Sequence, residues 1–309
     1  MLTDGLPVAK VKTIYVCTEC GAEHAKWQGQ CNDCGAWNTL KSFSTGPASR
    51  SGIYPAGGYT GQHEPPKPLA DVDTRSVPRI DTRSAELDRV LGGGLVPGSA
   101  VLIGGEPGAG KSTLLIQTLC RLAEDHRALY VTGEESLAQL AMRASRLQLP
   151  QEKLHVMAQT SVETITTYWR DYDPTLVVVD SIQVMQADHV DSAPGGVAQV
   201  RESAAALIRL AKQTDTVLIL VGHVTKDGNL AGPRVLEHMI DCFVMLEGDP
   251  DSRYRTLRGN KNRFGAVNEL GVFAGNYMNK PFANLTTDEL IDISEKFTVN
   301  DDLVSPGLY

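Results

Sequence analysis

The stretch VLIGGEPGAGKST, residues 101–113, limits the possible folds more than any other part of the chain. It meets the P-loop pattern GxxxxGK(S/T) with Gly105, Gly110, Lys111 and Ser112. The apolar residues before the loop read as a buried strand, and TLLIQTLCRL after it reads as a helix. Backbone N–H groups of such a loop and of the helix N-terminus converge on anionic oxygens. A chance glycine turn before a helix is disfavoured by the two correct flanks, so the pattern predicts a nucleoside triphosphate site.

The residue types of this loop indicate how it would hold ATP and Mg²⁺, the two cofactors expected here. Lys111 is expected to reach the β- and γ-phosphates and to act in catalysis, and the Ser112 hydroxyl is expected to ligate Mg²⁺. His223 ends a later strand, where its ring would sense the γ-phosphate; a histidine that only completes the strand end is nearly as well supported. The expected nucleotide-binding residues are Gly105, Glu106, Pro107, Gly108, Ala109, Gly110, Lys111, Ser112, Thr113 and His223.

Two CxxC pairs near the amino terminus, in CTECGAEHAKWQGQCNDC, predict a closed tetrahedral Zn²⁺ site. The expected ligands are Cys17, Cys20, Cys31 and Cys34. A redox site needs only one such pair and disulfides need an oxidising compartment, so both alternatives are disfavoured. His24 is interpreted as a bystander because four thiolates fill the coordination shell. We expect a structural site without catalysis, since a module of this size usually needs a metal to fold.

Strand-like runs alternate with helix-like runs through the rest of the chain. The predicted strands occupy 101–103, 128–136, 175–181, 217–223 and 241–247. Such alternation predicts an α/β fold with a mainly parallel sheet and right-handed crossovers, preceded by the small four-cysteine zinc-ribbon module. Ligands of such sheets bind at the carboxyl ends of the strands.

Composition divides the chain into four expected parts. These are a zinc module at 1–40, a flexible Gly/Pro/Ser-rich linker at 41–77, an ATPase domain at 78–275, and a bridge and tail at 276–309. The start of the chain has no apolar targeting region and the longest apolar runs have strand length, so no membrane association is expected. Cys120 and Cys242 read as reduced, buried thiols, which favours the cytoplasm.

Acidic residues at predicted strand ends complete the expected catalytic site. Asp180 closes the run LVVVD and is interpreted as a Walker B aspartate that holds Mg²⁺; capping of the next turn is the alternative. Glu134 is preferred over Glu135 as the group that orients and deprotonates the attacking water. Alternatively, both glutamates lie in the first turn of the next helix, where acidic residues suit the dipole.

Cations in later loops indicate where a polymer would pass. The formal net charge of −8 argues mildly against a general nucleic-acid-coating protein, but residues 253–263 contain five cations and no acidic residue. Arg201, Lys226 and Arg234 lie in or beside glycine-bearing loops that either contact DNA or serve only as connections.

The stretch GNKNRFG, residues 259–265, carries two further cations of interest. Lys261 and Arg263 lie two apart, so an extended backbone projects them to the same side. Presented to the γ-phosphate of a neighbouring subunit, they would act as catalytic fingers. A basic surface hairpin is the alternative, and spacing alone does not exclude it.

Several motifs together resemble the bacterial RadA (Sms) family of RecA-like DNA recombination ATPases. The resemblance runs from about Lys12 to Val272. It implies a RecA-like core, a homo-hexameric ring around single-stranded DNA, ATP-driven branch migration, and a zinc module that works with the RecA recombinase. The motifs are YVCTECGAEHAKWQGQCNDCGAWNTL, LDRVLGGGLVPGS, GEPGAGKST, YVTGEES, VVVDSIQ, SAPGGVAQVRE, LVGHVTKDGNLAGPRVLEHM and KNRFG.

The resemblance also assigns roles to individual positions. Lys111 and Ser112 match Walker A, Asp180 matches Walker B, and Lys261 and Arg263 match the trans-acting cations of KNRFG. Lys226 and the loop after Ser192 match regions associated with the DNA channel.

Members of that family normally continue into a domain that resembles the Lon protease fold. This sequence ends at Tyr309, and residues 285–297 resemble the bridge out of the ATPase core. We therefore expect the second domain to be missing from this sequence, which leaves the stability of a hexamer open.

Three functions remain open from the sequence. The leading one is a DNA-stimulated ATPase motor, a helicase-like enzyme of recombinational repair. The others are a nucleotide-gated RecA-fold switch and a DNA-binding accessory with weak ATPase activity. A small-molecule kinase is disfavoured because the strand that bears GEES lies between the Walker A and Walker B strands and supplies a hydrolytic type of glutamate.

Overall fold

The computed structural model describes six stretches of the chain: residues 12–17, 20–45, 68–71, 78–223, 235–248 and 254–274. Most of the expected linker and all of the expected bridge and tail at 276–309 lie outside the described residues. Lys226 and Arg234, two of the three cations expected to contact DNA, lie outside them as well.

A small antiparallel sheet carries the cysteine pairs. It has the strand order β2-β1-β3, with β1 at Lys12–Cys17, β2 at Glu23–His24 and β3 at Leu40–Thr45. Backbone hydrogen bonds from Gly21 to Cys17 and from Gly35 to Cys31, each 2.9 Å long, close the two knuckles. β3 continues to Thr45 and so passes the expected module boundary at residue 40, because its whole length pairs with β1.

A second sheet of eight strands forms the larger unit, in the order β11-β10-β9-β4-β8-β7-β5-β6. The strands from β9 to β6 are parallel to one another, and β10 and β11 are antiparallel. This confirms the predicted α/β class with a mainly parallel sheet. The strands are β4 at Ala100–Gly104, β5 at Ala128–Thr132, β6 at His155–Ala158, β7 at Leu176–Asp180, β8 at Val217–Val221, β9 at Cys242–Glu247, β10 at Tyr254–Asn262 and β11 at Leu270–Ala274.

Helices cover both faces of the large sheet and enclose two apolar cores. One core packs α1, α2 and α3 against the sheet, and the other packs α4, α5 and α6 against the opposite face. Short 3₁₀ turns lie at Leu69–Asp71 and Ile182–Val184. The helices are α1 at Ala85–Leu91, α2 at Lys111–Leu122, α3 at Leu137–Arg146, α4 at Val162–Tyr172, α5 at Val197–Gln213 and α6 at Val235–Met239.

The stretch between α3 and β7 is more regular than the sequence indicated, since it holds β6 and α4. β6 is only four residues long and mostly exposed at the edge of the sheet, so its apolar run, Val156 to Ala158, is shorter than that of the buried strands. The sheet order also corrects one spatial argument. β8 lies between β4 and β7, whereas β5 lies beyond β7, so the GEES strand falls between the Walker strands only along the chain.

Candidate nucleotide-binding site

The P-loop joins the carboxyl end of β4 to the first residue of α2. A Cβ on Gly105 would lie 2.5 Å from the carbonyl oxygen of Leu246, so no larger residue fits there without a backbone shift. Gly108 and Gly110 have φ angles of 83° and 102°, which glycine adopts without strain. The backbone N–H of Ala109 closes the loop on the carbonyl oxygen of Glu106 at 3.1 Å. These contacts shape the loop that leads from β4 to the first turn of α2.

The Lys111 side chain is buried and folds back on its own loop. Its Nζ donates hydrogen bonds to the carbonyl oxygens of Gly105 at 2.7 Å and Glu106 at 2.9 Å. Burial lowers the pKa of Lys111, while the negative charges of Asp180 and Glu134 oppose that shift. The ammonium therefore lies within the loop that the sequence assigned to phosphate.

Asp180 ends β7 beside the end of β5. Its Oδ2 accepts a 2.6 Å hydrogen bond from the Tyr130 hydroxyl, which also interacts with the Ser112 side chain. Burial, followed by the charge of Asp180, raises the pKa of Tyr130 well above its usual value, so the phenol keeps its proton and donates. A buried carboxylate and a hydroxyl that share a hydrogen-bonding neighbour are oxygen ligands of the kind that Mg²⁺ prefers, so these residues fit that ion.

Glu134 follows β5 and faces the same site. Its Oε1 accepts a hydrogen bond from Ser181 and lies 3.3 Å from Nε2 of His223. The hydrogen bond with His223 lowers the pKa of Glu134; partial burial opposes this, and Ser181 adds to the lowering. Nδ1 of His223 lies 3.4 Å from Nζ of Lys111. The structure thus brings Lys111, His223, Glu134 and Asp180 together at the carboxyl ends of the strands.

Glu135 points elsewhere. Its carboxylate pairs with Arg143 of α3, and its backbone N–H donates to the Thr132 hydroxyl at 3.0 Å. Helix α3 begins at Leu137 with Ser136 as its N-cap, so both glutamates precede the helix rather than form its first turn.

Lys261 and Arg263 lie near the amino ends of the parallel strands, whereas the P-loop lies at the carboxyl ends. Asn262 of β10 pairs with Cys242 at the amino end of β9, and Cys242 pairs with Val101 near the amino end of β4. The P-loop follows the carboxyl end of β4. The two cations are therefore separated from the loop of their own chain by the length of the strands.

Both cations contact one short segment of the chain. Nζ of Lys261 donates to the carbonyl oxygens of Glu237 and, at 2.8 Å, Ile240. Nη1 of Arg263 lies 2.9 Å from Oδ1 of the buried Asp241. These contacts fix the side chains against α6 and the start of β9.

Arg201 lies in the first turns of α5, in the connection that follows β7. It is half-buried and makes contacts within the protein. Among the residues expected to contact DNA, it alone belongs to the described part of the chain.

The four zinc-site cysteines converge in the small sheet. All four sulfur atoms lie within 4.8 Å of one another, which fits a closed tetrahedral Zn²⁺ site. The Cys17 and Cys34 sulfur atoms are 3.6 Å apart, as are those of Cys20 and Cys31. His24 was interpreted as a bystander, yet its Nε2 lies 3.4 Å from the Cys31 sulfur. It therefore borders the ligand shell directly.

Sequence reasoning missed four residues that support these sites: Tyr130, Ser181, Arg143 and Asp241. A tyrosine in the otherwise apolar strand ALYVT, and a serine directly after the Walker B aspartate, were the available signals. Arg143 and Asp241 carried no local signal, because their partners Glu135 and Arg263 lie 8 and 22 residues away along the chain. No helix within the described ranges is long and apolar enough to cross a membrane.

Two family models match the chain. The model described as AAA domain matches residues 63–229, and the model described as Rubredoxin metal binding domain matches residues 15–42. The first covers the P-loop, Glu134, Asp180 and His223, and the second covers all four zinc-site cysteines. The matches agree with the expected cofactors: a P-loop of this family implies ATP and Mg²⁺, and the four-cysteine cluster implies Zn²⁺.

Curated relatives and a solved structure extend these similarities. The DNA repair protein RadA of Pseudomonas aeruginosa is 61% identical over 267 residues, which are 86% of this chain and 58% of that protein. The DNA repair protein RadA of Escherichia coli is 57% identical over 85% of this chain. The chain spans 58% of the length of both relatives. One solved structure of an ATPase domain matches 65% of this chain and 88% of its own, with a TM-score of 0.53 and 14% identity, which supports the RecA-like fold alone.

Proposed function

We propose a function on the premise that this chain belongs to the AAA domain family and is a close relative of the DNA repair proteins RadA. It is an ATP hydrolase that uses the energy of hydrolysis to move on single-stranded DNA during recombinational repair. The observation that carries the proposal is the convergence of Lys111, Glu134, Asp180 and His223 on one site at the carboxyl edge of the sheet.

The hydrolytic roles follow from the geometry of that site. Lys111 leaves the carbonyl oxygens of Gly105 and Glu106 and binds the β- and γ-phosphates. Glu134, whose pKa is lowered, is ionised and accepts a proton from the attacking water. His223 touches both Lys111 and Glu134, so it is placed to register the γ-phosphate. Asp180 and Ser112 would hold Mg²⁺, which neutralises charge on the phosphate oxygens when bound.

The cations of KNRFG complete the site of a neighbouring subunit. Lys261 and Arg263 lie near the amino ends of the strands, away from the P-loop of their own chain. They would therefore reach the γ-phosphate bound to a neighbouring subunit, not the one bound to their own. This arrangement supports a ring of identical subunits, for which we propose a hexamer that encircles the DNA. Arg201, Lys226 and Arg234 are proposed to contact the strand inside the ring.

The proposal also covers the zinc module and the location of the protein in the cell. We propose that the zinc module, expected at 1–40 and with its last strand continuing to Thr45, is joined by the rest of the 41–77 linker to an ATPase domain at 78–275, which a bridge and tail at 276–309 follow. The module is proposed to work with the RecA recombinase during branch migration. Thiols that are not joined in disulfides suit the reducing cytoplasm, where we place the protein.

Steady-state ATPase activity with and without single-stranded DNA tests this function. We expect DNA to stimulate the intact chain strongly, and both Lys111→Ala and Lys261→Ala to lose that stimulation. The first removes the phosphate ligand and the second removes a finger, a device worth roughly 10³- to 10⁵-fold in rate. Lys153→Ala is the matched control, since that surface lysine pairs with Glu124.

Mixing the two inactive variants tests the trans arrangement. A Lys261→Ala subunit retains its P-loop and a Lys111→Ala subunit retains its finger, so mixed assemblies should regain activity at the shared interface. DNA-independent hydrolysis, unaffected by Lys261→Ala, would instead favour the nucleotide-gated switch. Salt-sensitive DNA binding without significant hydrolysis would favour the DNA-binding accessory.

A further inference from the structure

The buried hydroxyl of Tyr130 joins the two elements expected to hold Mg²⁺. Tyr130 lies on β5, where it pairs with Val178 of β7, and Asp180 pairs with Thr132. Because side chains alternate along a strand, Tyr130, Val178 and Asp180 share one face of the sheet. That face is covered by α2, whose first turn carries Ser112. The phenol therefore reaches the end of β7 and the start of α2 together.

We propose that Tyr130 is a positioning residue for the magnesium site: its hydroxyl fixes Asp180 relative to Ser112 and so sets the affinity of the nucleotide site for the divalent cation. The proposal rests on the function proposed above and adds a residue to it. Its basis is the 2.6 Å hydrogen bond from the Tyr130 hydroxyl to Asp180 Oδ2, with Tyr130 only 1% exposed.

Phenylalanine would fill the same space as Tyr130, so the hydroxyl is not needed for packing. Tyr130 belongs to the apolar core beneath α2, where a ring of the same size without the oxygen would be in place. A hydroxyl in such a core requires a hydrogen-bond partner, and here that partner is a carboxylate oxygen of the expected metal ligand. With Oδ2 held by the phenol, the rotation of the carboxylate is restricted. Partners of metal ligands commonly act in this way.

The test measures binding of a fluorescent, non-hydrolysable ATP analogue while Mg²⁺ is titrated. For Tyr130→Phe we expect the Mg²⁺ concentration at half-maximal affinity to rise by roughly 10-fold, the lower end of what removing such a partner costs. Affinity for the analogue in excess EDTA should change by less than about twofold, because the phenol does not touch the phosphate-binding N–H groups. Binding of Mn²⁺ to the nucleotide complex, followed by electron paramagnetic resonance, should weaken in parallel.

Three further variants separate positioning from general stability. Tyr168→Phe removes a phenol that lies 2.7 Å from His155 on the protein surface, and it should leave the Mg²⁺ requirement unchanged. Tyr130→Leu removes the same hydroxyl by another route and should reproduce the Mg²⁺ effect, with folding of both variants checked by thermal unfolding. In an Asp180→Asn background the Tyr130→Phe effect should vanish, because the phenol acts through that carboxylate.

Two results would overturn the inference. One is an unchanged Mg²⁺ requirement in Tyr130→Phe; the other is an equal loss of affinity with and without Mg²⁺, which would show a merely structural role. Failure of the proposed function looks different, since the wild-type chain would then bind the analogue without any dependence on Mg²⁺ or would show no ATPase activity.

Discussion

At the scale of the residue, the nucleotide site is a connected set of polar contacts. His223 contacts Lys111 through one ring nitrogen and Glu134 through the other. Glu134 also accepts from Ser181, the residue that follows Asp180. A change at Lys111 can therefore reach Glu134 through a single imidazole ring.

The two adjacent glutamates should differ sharply in their effect on catalysis. Glu134→Gln removes the carboxylate proposed as the base and is expected to lower kcat by roughly 10²- to 10⁴-fold, with affinity for ATP largely retained. Glu135→Gln weakens a partly exposed pair with Arg143 and should change kcat by less than about tenfold. Single-turnover ATP hydrolysis, with nucleotide binding measured separately, compares them.

Equal losses of kcat in these two variants would contradict the assignment. So would a normal rate in Glu134→Gln, because the amide cannot accept the proton. Arg143→Gln serves as a further control, since it should resemble Glu135→Gln if that glutamate acts only through its ion pair.

The sequence predicted the residues of this site whose chemistry is strong and local. Lys111 and Asp180 stand in patterns whose spacing specifies their role. Tyr130 could not be assigned in the same way, because an aromatic residue in a buried strand is usually core, and only the pairing of β5 with β7 brings it to Asp180. Choosing Glu134 over Glu135 likewise requires side-chain directions, which adjacent positions in a sequence do not supply.

At the scale of the element, buried strands were predictable and the edge strand was not. β4, β5, β7 and β8 are buried throughout, so each appears as a continuous apolar run. β6 lies at the end of the sheet beside β5, leaves most of its residues exposed and has an apolar run of only three residues, which is too short to indicate a strand. The spatial order could not be read from the chain either, because crossovers place β8 between β4 and β7.

The glycines of the P-loop should differ in how well they tolerate an added methyl group. A Cβ on Gly105 would meet the Leu246 carbonyl oxygen at 2.5 Å, so Gly105→Ala requires β4 and β9 to separate locally. We expect a loss of about 2–3 kcal/mol in the free energy of unfolding without nucleotide. Denaturant unfolding in excess EDTA measures it.

Gly108→Ala is the matched control for that substitution. A Cβ there meets nothing within 4 Å, so the cost comes only from its φ of 83° and should be about 1 kcal/mol. A Gly108→Ala variant less stable than Gly105→Ala would show that the backbone angle, not the carbonyl contact, governs the loop.

At the scale of the whole molecule, the zinc module and the ATPase domain are stabilised in different ways. The large unit has two extensive apolar cores, whereas the small sheet has a core made of Cys17, Cys31 and Leu40. Two of those three residues are expected metal ligands. The small sheet therefore depends on its metal in a way that the large one does not.

Removal of zinc should accordingly unfold one part and spare the other. Treatment with a chelator and a thiol reagent is expected to abolish hydrogen-exchange protection in β1 and β3, because the ion that would join the four cysteine side chains is removed and the apolar core is too small to compensate. Affinity for ATP should remain within about twofold of its starting value. Hydrogen exchange followed by mass spectrometry, with binding measured on the same sample, reports both.

The control for this experiment is to restore zinc to the same sample. Protection should return with the ion once the thiols are free again. Retained protection in the metal-free module, or a large loss of ATP affinity on zinc removal, would show that the two units are not independent in this way.

The position of Lys111 has a consequence for turnover. Its ammonium donates hydrogen bonds to two carbonyl oxygens of the loop. A phosphate bound in the loop would therefore compete with these carbonyl oxygens for the Lys111 ammonium. When the phosphate dissociates, the ammonium would return to the carbonyl oxygens. We expect this competition to weaken the binding of a product nucleotide and so to speed its release. An ammonium aimed permanently outward would bind ADP more tightly and release it more slowly.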